Sequence, residues 1–182
     1  MKKSQVYLVY PILAIVAIML SFDTSWGQQT KLIVRAKAKD AKFIGESFGG
    51  AVITVKNSVT GKVLAKGNTS GGTGDTTKIM QTPLVRGSSI SDSNTAKFET
   101  SINIEEPTLV TIEAEAPYSI ESSKIKVSTQ VWLLPGKDII GDGIILEVPG
   151  FSVSIKSPAK DSKVKLSGDK ISVPIIVSVA MM

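Results

Sequence analysis

Cysteine and histidine are both absent from the 182 residues. Without cysteine there is no disulfide staple, no thiolate zinc site and no thiol nucleophile. Without histidine, the serine and cysteine hydrolase triads, the common transition-metal sites and a histidine-ligated haem are excluded as well. Aromatic residues are sparse, at 5%, and after residue 27 no stretch repeats its apolar residues with the 3.6-residue period of a helix. Stability is therefore expected from apolar burial and sheet hydrogen bonding, with few helices.

What is present at the N-terminus is an export pattern. Lys2 and Lys3 precede an apolar run from Val6 to Leu20, interrupted only by Tyr10 and Pro11. Ser25-Trp26-Gly27 then sets small residues three before and immediately before a cut at Gln28, the layout of a cleavable signal peptide. The run is shorter than the roughly 20 residues a bilayer-spanning helix needs, so residues 1–27 are expected to be removed, with no membrane span left behind. The absence of cysteine also excludes a lipid-modified N-terminal thiol. The mature chain, 155 of the 182 residues, is expected in the periplasm or outside the cell, and its length suits one domain of ordinary size.

Removing residues 1–27 lowers the formal charge only from +5 to +4. Lys31, Arg35, Lys37, Lys39 and Lys42 cluster near the new N-terminus. They are read as the solvated face of a strand in preference to a patch for lipid headgroups or cell-wall polymer. Nucleic acid is not an expected partner, because few aromatics interleave with the basic residues.

Alternation with a period of two runs through the mature chain and predicts an all-β protein. Leu32, Val34 and Ala36 alternate with Lys31, Arg35 and Lys37. Ala51, Ile53 and Val55 form the next strand, and the turn chemistry of 57–61 returns the chain through Lys62 to Ala65. Phe98, Thr100 and Ile102 lead to the break at Glu105-Glu106-Pro107 and on to Val110, Ile112, Ala114 and Ala116, which predicts a second hairpin. Ile125 to Leu133 is a further strand, and Pro149-Gly150 is read as a turn between 144–148 and 151–155. Short strands punctuated by glycine and proline, each with one apolar face, predict an antiparallel β-sandwich, immunoglobulin-like or transthyretin-like.

Gly50 to Val55, followed by Thr60-Gly61-Lys62-Val63-Leu64-Ala65-Lys66-Gly67 and Thr69, resembles the opening of transthyretin-like or carboxypeptidase-regulatory-like modules. The resemblance covers residues 50–69. It implies a prealbumin-like β-sandwich with an accessory, adhesive or carbohydrate-associated role, a Thr-Gly pair closing a hairpin, and no catalytic residue. Residues 157–182, with Lys163 to Leu166 and the apolar alternation Ile171, Val173, Ile175, Val177 and Val179, are similar to the opening strands of bacterial immunoglobulin-like repeats. They are read either as the final strands of the domain spanning 28–156 or as the truncated start of a second module. Pro174 sits on the opposite phase, which suits an edge strand or bulge.

The segment 68–94 is a long polar loop, of the kind that is usually functional or disordered. Its Gly71, Gly72 and Gly74 lack the spacing of a phosphate-binding loop and precede no helix signal. Asp75, Asp138 and Asp142 have the oxygen chemistry for Ca²⁺ but not the acidic ladder of a calcium loop, and read as turn acids. Glu105, Glu106, Glu113 and Glu115 are the carboxylates a glycosidase would draw on, yet Glu113 and Glu115 lie on the solvated phase of a strand. Trp132 lies opposite Val131 and Leu133 and is either a recognition aromatic or a cover under the loop. The expected function is a non-catalytic binding or adhesion module for protein or carbohydrate at the cell surface. Gly71, Gly72, Gly74, Asp75 and Trp132 are its candidate contacts, with no catalytic residue, metal or cofactor. The alternatives are a subunit assembling by strand exchange through Gln28–Lys39 or Ile171–Val179, or a carboxylate-based glycan-active enzyme.

Overall fold

The computed structural model describes residues 27–164 and 172–181; residues 1–26 of the expected signal peptide, and 165–171 of the tail, lie outside them. Nine strands carry the fold: β1 (Gln28–Ala38), β2 (Val52–Asn57), β3 (Val63–Asn68), β4 (Phe98–Ile104), β5 (Thr108–Ala116), β6 (Ile125–Leu133), β7 (Ile139–Val148), β8 (Phe151–Ser157) and β9 (Ile176–Met181). Helical turns among the described residues are short: Glu46–Phe48, Thr77–Gln81 and Glu121–Ser123. The protein is an all-β sandwich, with β4-β1-β7 in one sheet, β3-β2-β5-β6 in the other, and β8-β9 as a separate two-stranded ribbon.

The period-two pattern determines what lies between the two sheets. Leu32, Val34, Ala36 and Ala38 of β1 meet Ile53 and Val55 of β2, Val110, Ile112 and Ala114 of β5, and Leu146 and Val148 of β7 in one buried cluster. Each fully buried Val, Ile or Leu here is worth about 1.5–3 kcal/mol over its exposed state. The Thr60-Gly61 turn closes β2 onto β3 as expected, with Gly61 at φ +71° and the Asn57 side chain accepting the amides of Val59 and Thr60.

Strand neighbours differ from the sequence expectation in two places. β4 and β5 are not a hairpin, since β4 pairs with β1 whereas β5 lies between β2 and β6. Glu105-Glu106-Pro107 therefore carries the chain from one sheet to the other. Nor do β7 and β8 pair: β7 runs parallel to β1, and β8 pairs with β9. Alternation tells which side chains face inward, but both sheets offer the same inward face, so it does not choose the neighbour. The parallel β1–β7 pairing makes the three-stranded sheet mixed, while every other strand pair is antiparallel. The ribbon also straddles the expected boundary at 156/157, because β8 begins at Phe151. Of the two segments expected to donate a strand, β1 has neighbours on both sides, and Ile176–Val179 of the second is held by β8.

β7 begins earlier than expected. The segment from Ile139 through Gly141-Asp142-Gly143 is part of the strand, with a register irregularity opposite Leu32 to Val34. Gly143, at φ +67°, makes this possible, because a Cβ there would stand 2.2 Å from the Ile33 carbonyl oxygen.

Candidate functional site

The long segment after β3 folds back over the outer face of the three-stranded sheet. Its glycines allow backbone to lie on backbone. A Cβ on Gly71, at φ +126°, would stand 2.6 Å from the Asn94 carbonyl oxygen, and one on Gly45 would stand 2.9 Å from the Gly72 carbonyl carbon. Ser70 and Gly72 form bridges with Lys97 and Thr95. The Gly71 amide donates to Glu46 Oε1 at 3.1 Å and the Gly72 amide to the Asn94 carbonyl at 2.7 Å. These donors are thus spent inside the fold, where a phosphate-binding loop would leave them open.

Around this junction lies an open groove of about 960 Å³, lined by Glu46, Asn68, Asn94, Lys97, Phe98 and Glu99 beside Gly71 and Gly72. Phe98 opens β4 and its half-buried ring rests against Gly67, where a Cβ would approach it to 2.4 Å. Glu46 accepts the Ser70 hydroxyl at 2.7 Å. That hydroxyl and then the Gly71 amide hold the Glu46 carboxyl below its usual range. Lys97 Nζ sits 3.0 Å from Glu99 and lowers its pKa by hydrogen bond and charge.

Of the candidate contacts, Gly71 and Gly72 line the groove. Gly74 packs against Ile79, Thr95 and Phe43. Asp75 caps the turn at 77–81 by accepting the Lys78 amide at 2.7 Å. Trp132 belongs to a different surface: it pairs across strands with Leu109 and is 59% exposed, so the loop does not cover it. Asp138 accepts the Lys31 amide at 2.8 Å. Glu113 meets Lys56 at 2.9 Å and Lys126 at 3.3 Å, and Lys126 also meets Glu115 at 3.2 Å, a cross-strand ladder on the outward phase in which Glu113 itself is half-buried.

The basic cluster at the N-terminus requires a correction at one member. Arg35 is only 3% exposed, although it lies on the outward phase of β1. Segment 88–97 covers it, and the guanidinium donates to the carbonyls of Thr95, Ala96 and Gly141. Its Nε has no hydrogen-bond partner among the described residues, and Phe43 lies 5.8 Å from its carbon centre. Burial pushes its pKa down, against the opposing pull of Asp142, Asp92 and Glu99.

Asp142 pins the same segment from the other side. It accepts the hydroxyls of Ser89 and Ser91 and the amides of Ile90 and Ser91, the latter two at 3.0 and 2.9 Å. Partial burial pushes its carboxyl up, but the Ser89 and Ser91 bonds outweigh it and hold the pKa at about 2.

Sequence reasoning passed over Glu46, the burial of Arg35 and the anchoring role of Asp142. A signal existed for Arg35: Ile33 shares its phase, so that face of β1 is not uniformly polar. For Asp142 the signal was the pair of flanking glycines. No protein-family model matches the chain, and no curated protein or solved structure is similar enough to set beside it.

Proposed function

We propose that the chain is an exported, non-catalytic β-sandwich binding module of the transthyretin-like or carboxypeptidase-regulatory-like kind, and that the groove beside Gly71 and Gly72 contacts a carbohydrate at the cell surface. One observation carries the reading. The groove is lined by Phe98, a half-buried aromatic, together with Asn68, Asn94, Glu46 and Glu99. A pyranose offers a C–H face for an aromatic ring and a rim of hydroxyls that amides and carboxylates can pair with. Pockets that orient small ligands combine apolar surface with a few placed polar groups in this way.

Other features support the module assignment. The architecture is a two-sheet sandwich, the Thr60-Gly61 pair closes its hairpin, and Gly67 and Thr69 have defined positions. Gly67 makes room for the Phe98 ring, and the buried Thr69 hydroxyl accepts the Ala51 amide at 2.9 Å. Export rests on the pattern in residues 1–27, followed at once by β1.

A glycan array followed by calorimetry on the best ligand tests the reading. Asn94→Ala and Glu99→Gln are each expected to weaken binding about tenfold, or roughly 1.4 kcal/mol, with Trp132→Ala unchanged. Binding lost in Trp132→Ala and retained in the groove variants would move the site to the outer face of the four-stranded sheet. No glycan bound at all would sink the carbohydrate assignment.

A further inference from the structure

The β8-β9 ribbon has the reverse of the usual arrangement of faces. Cross-strand partners share a face, and the register pairs Phe151 with Met181, Val153 with Val179 and Ile155 with Val177. These six apolar side chains form one continuous surface, each 48–64% exposed. The opposite face carries Ser152, Ser154, Ser178 and Ala180, and this small, polar face is the one turned to the sandwich. There Ser152 is buried, its hydroxyl donating to Ser123 Oγ at 2.9 Å, while Ser123 Oγ donates to the Val153 carbonyl at 2.8 Å. Docking by the serine face leaves the apolar face largely exposed, with Met181 at one end also lining a pocket beside Phe43, Phe48 and Met80.

We infer that this face is the contact between two copies of the chain, packed ribbon on ribbon. Six large side chains at this exposure present on the order of 600 Å², so two copies would bury on the order of 1,200 Å², the lower edge of the range occupied by stable interfaces. The surface is self-complementary, which a two-fold contact requires. No charged side chain interrupts it. The nearby lysines, Lys156, Lys160 and Lys163, all follow Ile155 in the chain. A two-fold axis through the central Val153–Val179 pair would place the Phe151–Met181 end of one ribbon on the Ile155–Val177 end of the other. The two lysine-bearing segments then lie at opposite ends of the contact, where their repulsion is least. The inference is independent of the groove and its ligand.

Sedimentation equilibrium of the purified chain tests it, with a dimer of micromolar dissociation constant expected. Val153→Lys, on the face, is expected to weaken the dimer at least tenfold, and Ser128→Lys, at an exposed position of β6, to leave it within about twofold. Because the chain has no cysteine, a second test needs no change of the apolar surface to a charge. Val153→Cys is expected to cross-link two copies under copper-phenanthroline and air, and Ser154→Cys is not. A monomer at every concentration overturns the inference, as does a folded Val153→Lys variant that dimerises as before. A monomer that instead sediments with phosphatidylglycerol vesicles overturns it in favour of a lipid surface.

Discussion

The outer faces of the two sheets begin from the same strand pattern and end differently. On the four-stranded sheet, Glu113 stands at an outward position of β5 and meets Lys56 and Lys126 in partly solvated ion pairs. On the three-stranded sheet, Arg35 stands at an outward position of β1 and is buried under segment 88–97. A charge on the outward phase is thus a solvated ladder in one sheet and the anchor of a covering layer in the other. The difference lies in what is laid over the strand. Segment 68–97 returns across the three-stranded sheet, and Arg35 is the donor to the carbonyls of Thr95 and Ala96.

The most severe way to break this comparison is to remove the anchor. Arg35→Ala leaves three carbonyls and a cavity behind, and is expected to cost about 3–5 kcal/mol, read from denaturant unfolding followed by Trp132 emission. If it costs no more than a change at Glu113, the two faces are energetically alike and the covering layer is incidental. Gly143→Ala is expected to cost about 2–4 kcal/mol, because it adds a Cβ at a positive φ against the Ile33 carbonyl; the same unfolding curves measure it.

Asp142 sharpens the comparison through pH. Its folded pKa, about 2, lies below the ordinary 3.8, so its contribution is fully present above about pH 4 and is lost as the pH falls toward 2. Hydrogen-exchange protection factors of the amides in 88–92 should therefore fall over that window. Asp142→Asn should remove the pH step and cost about 1–2 kcal/mol at neutral pH. An unchanged exchange profile from pH 5 to pH 2 would mean that other contacts hold the segment. The smallest effect is expected at Glu113→Gln, below about 1 kcal/mol and diminished further by salt, as for exposed ion pairs in general.

Much of the sandwich was legible because burial follows the period of the strand. Leu32, Val34 and Ala36, then Ile53 and Val55, then Val110, Ile112 and Ala114, all lie inward as their alternation predicts. The turn at Thr60-Gly61 was legible from local backbone chemistry. The pairings β4–β1 and β7–β1 were not, because they join segments more than 60 residues apart, and hairpin logic favours the nearest strand. The groove was legible only in part: Gly71 and Gly72 marked the place, but Glu46, Phe98 and Glu99 come to it from other segments. Asp75 and Trp132 carried suggestive chemistry alone, and the fold sends them elsewhere.

By itself, the sequence determined the all-β class, the inward residues of each strand and the absence of thiol and imidazole side chains from these residues, since these depend on side-chain type and local period. Tertiary structure alone decided which strands are neighbours, that Arg35 is buried while Glu113 stays half-exposed in its ion pairs, and that the ribbon turns its serine face inward. Those outcomes depend on what covers a face, and a period-two pattern carries no information about the covering layer until the chain has folded back over itself.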